Sequence, residues 1–526
     1  MIFPSRYPDV SWPDVTVTEA VFRHADRLAD RVAVIDGMSG RSYTYGQLRG
    51  LVRRFAGGLG SRGFGHGDVV ALLSPNVPEY PIAFHGTCAA GAVNTTLNPL
   101  YTAEEIGFQL RDSGARMIVT VPQLIEKARA AAEGTLVEEI VVFGEAEGAT
   151  PFATLVAGPE AEPAPVSPAD DLAVLPYSSG TTGISKGVML THHNLVANLH
   201  QVSALQDMGE DDVILAVLPF FHIYGMNVIM NLGLFQGCSI VSLPRFELDG
   251  FLSTIERHRV TWLYVAPPIV VALAKHPSVA AHDLTSVKIV FSGAAPLDAE
   301  TAGECARRIG CPVIQGYGLT ETSPVTHCVP SSMPDAPADT VGYAIPNVEC
   351  KVVSVDGREL GAGEDGELWI RGPNVMRGYL NNPTATADCI DGDGFFHTGD
   401  IGHVDEEDRW YIVDRLKELI KYKGFQVAPA ELEALLLSHP AIADAAVIGV
   451  PDLEAGESPK GFVVLKDPAA AGGTTPDEIM AFVAERVAPH KKLRLVEIVD
   501  EIPKSASGKI LRRLLREQEA VGRRSD

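Results

Sequence analysis

Cysteine is scarce in this sequence and is spread along it. The seven cysteines among 526 residues form no C-x-x-C pair, and none has a histidine at zinc-finger spacing. The pattern excludes a zinc-finger or disulfide-scaffold protein, because both need closely spaced cysteines. It predicts reduced, mostly buried thiols in a cytoplasmic enzyme.

Positive charge is also in short supply. Lys and Arg total 43 against 67 Asp and Glu, which gives a formal net charge of -24. Binding a nucleic-acid backbone requires a basic face, so nucleic acid is excluded as the main partner. A local basic pocket for a nucleotide is compatible with this balance.

Long apolar runs are missing as well. The most apolar stretch, residues 227–243, is interrupted by Asn231, Gln236 and Gly237, so it predicts a core segment and no membrane span. Residues 1–14 contain three prolines and no apolar stretch, and we therefore expect no secretory signal.

What the sequence does contain is an alternation of short β-branched runs with helical periodicity. This alternation predicts an α/β fold whose large N-terminal domain has helix-covered, mainly parallel sheets. Glycine and aspartate punctuate residues 356–413, which predicts a β-rich subdomain with short strands. A new pattern starts after Asp414, so we predict a domain of residues 1–413 and a small, mobile α+β domain of residues 414–526.

The strongest local motif lies between a predicted strand and a predicted helix. Residues 177–187 read YSSGTTGISKG, in which glycines admit backbone N–H groups to a phosphate and Lys186 adds charge. A Walker A loop would need glycine where Ser185 stands and Ser or Thr where Gly187 stands, which excludes a P-loop kinase. By itself the motif predicts a phosphate site or, alternatively, an ordinary flexible surface loop.

Four further motifs follow in order: QGYGLTE at 315–321, HTGD at 397–400, DRLKELIKYKG at 414–424 and PKSASGK at 503–509. Together with residues 177–187, they resemble the signature series of the adenylate-forming superfamily, which contains acyl-CoA synthetases, firefly luciferases and peptide-synthetase adenylation domains. The resemblance spans about residue 20 to residue 515. Within the superfamily, PFFHIYG at 219–225, SGAAPL at 292–297 and KYKGFQV at 421–427 resemble the 4-coumarate:CoA ligase branch.

This resemblance implies an ATP-dependent carboxylate–CoA ligase. Such an enzyme forms an acyl-adenylate and then an acyl-CoA thioester, and it releases pyrophosphate and AMP. The implied partners are ATP, Mg²⁺, coenzyme A and a carboxylic acid such as 4-coumarate, cinnamate or a related hydroxycinnamate. The resemblance also implies a hinge at Asp414, while the sequence carries no prediction of oligomeric state.

The resemblance assigns roles residue by residue. The nucleotide residues are Ser178, Ser179, Gly180, Thr181, Thr182, Gly183 and Lys186 at the phosphates, Gln315, Gly316, Tyr317 and Gly318 around adenine, Thr320 at the α-phosphate, Asp400 at the ribose, and Arg415, Lys417 and Lys421 nearby. Glu321 is implied as the Mg²⁺ ligand. The implied catalytic residues are Lys509, His222, Thr320, Glu321, Lys421 and Gln426, and the CoA residues are Lys423, Gly424 and Arg245.

The implied acid pocket combines small and aromatic residues. Its members are Ile223, Tyr224, Asn227, Phe291, Gly293, Ala294, Gly316, Gly318, Pro324, Val325 and Thr326. Plant enzymes of this branch carry Lys where Phe291 stands and a larger aliphatic residue where Thr326 stands. An apolar wall at Phe291 is compatible with either cinnamate or a hydroxylated relative.

Alternatives at this point are a medium- or long-chain fatty-acid–CoA ligase and, in a different class, a non-catalytic acyl- or nucleotide-binding homologue. A pocket that continues past Tyr224 as a tunnel would favour the fatty-acid ligase. The presence of Lys509, Glu321 and Asp400 argues against the non-catalytic homologue. The short stretch after Lys509 disfavours a peptide-synthetase module, and no residue indicates the oxygenation chemistry of a luciferase.

Overall fold

Two units make up the part of the chain that the computed structural model describes, which is residues 1–178, 185–423, 425–452, 455–466, 475–505 and 508–522. The larger unit comprises residues 2–350 and 370–396, and the smaller unit comprises residue 1, residues 351–369 and 397–526. The boundary predicted at Asp414 stays a prediction, and strand β22 (Trp410–Arg415) runs through it.

The strands are mostly short, buried and rich in β-branched residues. In chain order they are β1 (Phe3–Pro4), β2 (Val32–Asp36), β3 (Ser42–Thr44), β4 (Val69–Leu73), β5 (Val93–Thr96), β6 (Met117–Thr120), β7 (Glu139–Val142), β8 (Thr150–Pro151), β9 (Leu172–Ser178), β10 (Lys186–Thr191), β11 (Val213–Ala216), β12 (Ser239–Ser242), β13 (Trp262–Val265), β14 (Ile289–Ser292), β15 (Val313–Gly318), β16 (Val325–Cys328), β17 (Tyr343–Ala344), β18 (Glu349–Val353), β19 (Gly366–Arg371), β20 (Gly378–Tyr379), β21 (Phe396–Val404), β22 (Trp410–Arg415), β23 (Ile420–Tyr422), β24 (Phe425–Val427), β25 (Ile442–Asp452), β26 (Gly456–Leu465) and β27 (Leu495–Ile498).

The helices connect these strands. They are α1 (Val17–Val21), α2 (Tyr45–Gly60), α3 (Tyr80–Ala89), α4 (Ala103–Ser113), α5 (Ile125–Ala132), α6 (Phe152–Leu155), α7 (His192–Ser203), α8 (Leu232–Gln236), α9 (Leu248–His258), α10 (Pro267–Lys275), α11 (Ala299–Ile309), α12 (Pro383–Ala387), α13 (Pro429–Leu437), α14 (Pro476–Ala484) and α15 (Arg512–Gly522). A π-helix covers Tyr224–Asn231, and a 3₁₀ turn covers Thr320–Thr322. No described helix has the length and apolar character needed to cross a lipid bilayer.

The larger unit contains two sheets that are mainly parallel. One has the order β20-β10-β9-β5-β4-β6-β7-β8 and the other β17-β16-β15-β14-β13-β11-β12-β2-β3. In the first sheet, neighbouring strands from β9 to β8 are parallel, and in the second sheet, neighbouring strands from β15 to β2 are parallel. The other pairs in these two sheets are antiparallel. The prediction of helix-covered, mainly parallel sheets is therefore confirmed.

Local sequence signals set the helix boundaries in this unit. Thr191 starts α7 because its hydroxyl accepts from the Asn194 N–H, and Asp298 starts α11 by accepting from Thr301 N at 2.8 Å. Gly310 ends α11 with a left-handed φ of 81°, which glycine adopts readily. The cysteines are all free, and all but Cys389 are buried, which confirms the prediction of mostly buried thiols.

The smaller unit is β-rich at its start and α+β beyond it. Strands β18, β19, β21 and β22 lie side by side in that order, which agrees with the short strands predicted for residues 356–413. A second sheet follows the order β24-β23-β26-β25, with β27 parallel to β26. Its core is formed by buried aliphatic residues of β25, α13 and α14, among them Val447, Leu432 and Ile479.

Candidate active site

Glu321 is the centre of a hydrogen-bonded group in the larger unit. It lies in the 3₁₀ turn that follows β15, and only 8% of it is exposed. Its Oε1 accepts from the Ser178 hydroxyl at 2.8 Å and from the Tyr379 hydroxyl at 2.9 Å. Its backbone carbonyl accepts from Met376 N at 2.8 Å. The carboxylate is therefore oriented by donors from two separate segments, and a third segment holds the backbone of Glu321.

Tyr379 links this carboxylate to a cation. Lys186 Nζ lies 4.7 Å from the centroid of the Tyr379 ring, a cation–π contact made possible by the antiparallel pairing of β10 and β20. Burial and the charge of Glu321 raise the pKa of the Tyr379 phenol far above its ordinary value, so it remains a donor. The sequence analysis missed Tyr379, because no short motif shows which strand β20 pairs with.

A single buried carboxylate of this kind fits a magnesium ion that binds together with phosphate. Mg²⁺ is usually bound by one or two carboxylates plus the phosphate oxygens of the substrate. Within the described ranges, no cluster of three or more His, Cys, Asp or Glu residues could form a metal cage. Glu321 is therefore a residue that could hold such an ion.

Two aromatic rings pack directly on two glycines at the carboxyl ends of β14 and β15. A Cβ on Gly316 would lie 2.5 Å from Cζ of Phe291, and a Cβ on Gly293 would lie 3.1 Å from Cε1 of Tyr224. The Tyr224 hydroxyl donates to the Phe291 carbonyl at 3.3 Å. Ligand sites in α/β sheets lie at this strand edge, and the structure brings these four predicted acid-pocket residues together there.

Four of the remaining predicted pocket residues lie at or beside the turn between β15 and β16: Gly318, Pro324, Val325 and Thr326. Gly318 must be glycine, because a Cβ there would lie 2.1 Å from the Pro324 carbonyl oxygen. Asn227 donates to Ser323 O at 2.6 Å, and Thr326 donates to Tyr317 O at 3.3 Å. Both side chains are therefore hydrogen-bonded to backbone. Ile223 and Val325 are buried in the same unit, and Ala294 has a left-handed φ of 73°.

His222 has a defined hydrogen-bond role at the start of the π-helix. Its Nδ1 accepts from Tyr224 N at 3.3 Å. An accepting Nδ1 carries no proton, so the proton of the neutral ring is on Nε2.

The side chain of Gln315 is buried and hydrogen-bonded, whereas Arg245 is exposed. Both amide hydrogens of the buried Gln315 donate to backbone carbonyls, to Leu297 O at 3.1 Å and Ala338 O at 2.5 Å. Arg245 is exposed in the loop after β12.

Several predicted site residues lie outside the described residues: Ser179, Gly180, Thr181, Thr182, Gly183 and Gly424. The side chain of Gln426 also lies outside them.

In the smaller unit, Asp400 and Arg415 are cross-strand partners in β21 and β22. Arg415 Nε lies 3.3 Å from Oδ1 of Asp400, whose side chain is 5% exposed. Gly399 N donates to Glu367 Oε1 at 2.9 Å, which orders the turn that precedes Asp400. A buried carboxylate beside one guanidinium can accept hydrogen bonds from a pair of hydroxyls.

Lys509 lies in the field of the same pair. Partial burial lowers its pKa to about 8, and the positive charge of Arg415 contributes, while Asp400 and Glu418 oppose the shift. Its backbone N–H donates to the Ser505 hydroxyl at 3.1 Å. The structure thus brings three predicted site residues of this unit into electrostatic contact: Lys509, Asp400 and Arg415.

Asp414 connects β22 to the first turn of α13. Its Oδ2 accepts from Ala430 N at 2.8 Å, and its Oδ1 accepts from Arg415 N at 2.7 Å. The carboxylate therefore caps a helix whose own N-cap residue, Ala428, has no side-chain acceptor. Burial raises the pKa of Asp414, and Arg512 opposes that shift. The role of Asp414 as a hinge stays a prediction.

Three predicted lysines in and before the hairpin β23–β24 are exposed: Lys417, which precedes β23, Lys421 and Lys423. Lys423 has a left-handed φ of 49°, and its Nζ lies 5.8 Å from the centroid of the Tyr422 ring. Arg494 lies over the same ring at 4.8 Å and donates to the Tyr422 hydroxyl at 3.1 Å. The sequence analysis did not identify Arg494, because it lies far along the chain from the hairpin.

Comparison with known proteins agrees with this arrangement. The AMP-binding enzyme family matches residues 21–380, and the AMP-binding enzyme C-terminal domain matches residues 431–509. The chain is 45% identical to 4-coumarate--CoA ligase 5 of Oryza sativa subsp. japonica, over 99% of this chain and 98% of that protein.

Solved structures give the same result. The chain superposes on ATP-bound MatB from Rhodopseudomonas palustris with a TM-score of 0.86 and 32% identity, covering 96% of this chain and 99% of that one. It superposes on the anthranilate CoA ligase AuaEII in complex with anthranoyl-AMP with a TM-score of 0.88 and 27% identity, covering 96% and 98%. The chain therefore belongs to the AMP-binding enzyme family, and within that family it is an AMP-forming acid–thiol ligase.

Proposed function

We propose that this enzyme converts 4-coumarate, cinnamate or a related hydroxycinnamate to its CoA thioester. The observation that carries the proposal is the pair of rings, Phe291 on Gly316 and Tyr224 on Gly293, in a chain that is 45% identical to a 4-coumarate--CoA ligase. Flat apolar walls of this kind suit a planar aryl-propenoic acid.

The chemistry explains why such an enzyme needs ATP. A carboxylate resists attack by a thiol, because the reaction would have to expel oxide from an anion. In the proposed first step the acid oxygen attacks the α-phosphorus of ATP and pyrophosphate leaves. In the second step the CoA thiolate attacks the acyl carbon and AMP leaves.

Negative charge accumulates during the first step, so cations and donors must be positioned in advance. We assign this role to Lys509, whose ammonium would neutralise the carboxylate and α-phosphate oxygens, and to Thr320, whose hydroxyl would donate to the α-phosphate. Magnesium bound at Glu321 would supply charge neutralisation at the phosphates. Residues 178–186 are proposed to hold the β- and γ-phosphates, and His222 Nε2–H to donate to the acid.

The buried rings support an aromatic acid over a long-chain fatty acid. Tyr264 lies 5.3 Å from the ring of Phe291 and 6.3 Å from that of Tyr224, so aromatic side chains are continuous behind the two wall residues. A long acyl chain would need an open channel in that direction.

An AMP-release assay with CoA tests the proposal. The panel contains cinnamic, 4-coumaric, benzoic and fatty acids, and each reaction is checked for thioester. We expect the highest kcat/KM with an aryl-propenoic acid. Faster turnover of a long-chain fatty acid would overturn the assigned substrate and leave the ligase class intact.

Phe291→Lys is expected to shift preference toward ring-hydroxylated acids. Phe291 is 4% exposed, so an ammonium placed there needs a polar partner, which a ring hydroxyl supplies and cinnamate does not. With cinnamate bound, the introduced ammonium would have no polar partner. We therefore expect the ratio of kcat/KM for 4-coumarate over cinnamate to rise about tenfold. Phe291→Leu is the apolar control, and an unchanged ratio in Phe291→Lys contradicts the assignment.

Lys423→Ala is expected to impair the thioester step selectively. The exposed Lys423 and the nearby Arg494 offer two cations to the phosphates of CoA. We expect KM for CoA to rise about tenfold, while pyrophosphate exchange in the absence of CoA stays near the wild-type rate. Lys466→Ala, which removes an exposed lysine bonded to Pro440 O, is the control. A defect confined to adenylate formation would refute the CoA role.

A further inference from the structure

The segment 322–325 directly follows Thr320 and Glu321, and it has an unusual backbone. Ser323 has a φ of 72°, in the left-handed region that residues other than glycine seldom adopt. A conformation of this kind persists only where surrounding contacts determine it.

Side chains, more than neighbouring strands, provide those contacts. Asn227 Nδ2 donates to Ser323 O at 2.6 Å. Asn374 Nδ2 donates to Thr322 O at 2.8 Å and to Val325 O at 3.0 Å. The Thr322 hydroxyl donates to Pro324 O at 2.6 Å. Every carbonyl of the segment is thus bound by a side chain.

A third asparagine both donates to and accepts from the backbone at the end of the segment. Asn198 Nδ2 donates to Val325 O at 2.8 Å, and its Oδ1 accepts from Val325 N at 3.2 Å. We call Asn198, Asn227 and Asn374 the clamp asparagines. They come from α7, the π-helix and the loop after β19, and none is more than 1% exposed.

Each clamp asparagine donates its amide nitrogen to a backbone carbonyl, and Asn374 Oδ1 is buried without a hydrogen-bond partner among the described residues. Asn227, which the sequence predicted in the acid pocket, also accepts from Asn231 Nδ2 at 3.0 Å through its Oδ1. The Ser323 carbonyl can only accept, so the Nδ2 end of the Asn227 amide is the one that faces it. These side chains therefore act on the backbone of the turn that carries Thr320 and Glu321.

We propose that the clamp asparagines are positioning residues for adenylation, which hold Thr320 and Glu321 where the nucleotide phosphates meet them. The proposal rests on the proposed function. Leucine has nearly the shape of asparagine but lacks the donor, so Asn374→Leu leaves the carbonyl of Thr322 without its asparagine donor and frees the turn to move. Adenylation depends on the position of that turn, and attack of CoA on a finished acyl-adenylate does not.

The test compares the two half-reactions in full-length enzyme, per folded molecule. Pyrophosphate exchange reports adenylation, and thioester formation from supplied 4-coumaroyl-adenylate reports the second step. We expect Asn374→Leu and Asn198→Leu to slow exchange at least about tenfold, since small misplacements of reacting groups have effects of that size. The second step should stay within about threefold of wild type.

The matched control is Asn94→Leu. Asn94 is also fully buried, and its Nδ2 donates to the backbone carbonyls of Phe84 and Ala173, but it lies in β5. It should lose stability as the clamp variants do and change both half-reactions equally. Asn374→Ser, which keeps a donor in a smaller side chain, gives the same comparison if the leucine variant does not fold.

A double variant separates positioning from general damage. If Asn374 acts through the turn that carries Glu321, Glu321→Gln with Asn374→Leu should be no more than about threefold slower in exchange than Glu321→Gln alone. Fully additive losses, or equal losses in the two half-reactions, would overturn the proposal. A wild-type enzyme without exchange would instead refute the proposed function.

Discussion

Replacing Lys509 by Ala is expected to slow adenylate formation about a hundred- to a thousandfold, the effect of removing one preorganised charge partner from a transition state. The charges of Asp400 and Arg415, which are proposed to bind the ribose side of the nucleotide, both influence the pKa of Lys509. The role assigned to this ammonium is confined to the adenylation step, in which the acid oxygen attacks the α-phosphorus. Thioester formation from supplied acyl-adenylate should therefore remain within about threefold of wild type.

Lys504→Ala is the matched control for Lys509→Ala. Lys504 precedes Lys509 in the same motif, and its Nζ forms an ion pair with Asp444 at 2.6 Å. Its loss should affect stability slightly and neither half-reaction strongly. Equal loss of both half-reactions in Lys509→Ala would refute the assigned role.

The lowered pKa of Lys509 adds a pH dependence to this expectation. An ammonium is charged below its pKa, so the active form is lost as the pH rises through about 8. We expect kcat/KM for adenylation to fall on the alkaline side of that value. Lys509→Arg keeps its charge at higher pH and should lack this decline, even if its maximum rate is lower.

Glu321→Gln is expected to slow adenylation about a hundredfold and to raise the Mg²⁺ concentration needed for half-maximal rate. Glutamine keeps the size of the side chain but removes the charge that a hard cation requires. Tyr379→Phe should also slow adenylation and raise the Mg²⁺ requirement, but by about tenfold or less. The substitution removes one donor to Glu321 and leaves the ring under Lys186.

Tyr45→Phe provides the control for Tyr379→Phe. The Tyr45 hydroxyl is buried and donates to Cys238 O at 2.7 Å, far along the chain from Glu321. Its removal should lower stability without changing the Mg²⁺ dependence. An unchanged Mg²⁺ dependence in both Glu321→Gln and Tyr379→Phe would show that the metal binds elsewhere.

Local signals were sufficient to predict much of the fold. The hydroxyl of Thr191 and the ring of Pro429 fix the starts of α7 and α13 through interactions within a few residues. The short apolar run of β11 is typical of the buried strands that the alternating pattern predicts. Motif order then predicted the family, which the comparisons confirm.

Contacts that depend on strand pairing or on irregular backbone could not be predicted from the sequence. Residues 227–243 were predicted as a core segment, and Tyr224 and Asn227 as acid-pocket residues, but no signal indicated the π-helix, since the i→i−5 bond from Leu232 N to Asn227 O leaves no distinctive apolar period. The contact of Tyr379 with Glu321 depends on β20 pairing with β10. The hydrogen bond of Asn227 to Ser323 likewise depends on the left-handed conformation of Ser323, which no sequence motif indicates.

The most direct test of the account is the exchange of radiolabelled pyrophosphate into ATP, measured without CoA. The central claim is that a carboxylic acid is activated by adenylation before any thiol takes part. Exchange should begin when an aryl-propenoic acid is added to the folded wild-type enzyme with Mg²⁺ and ATP, and it should be nearly absent in Lys509→Ala. Thioester formation without any acid-dependent exchange, across the whole panel of acids, would contradict the account.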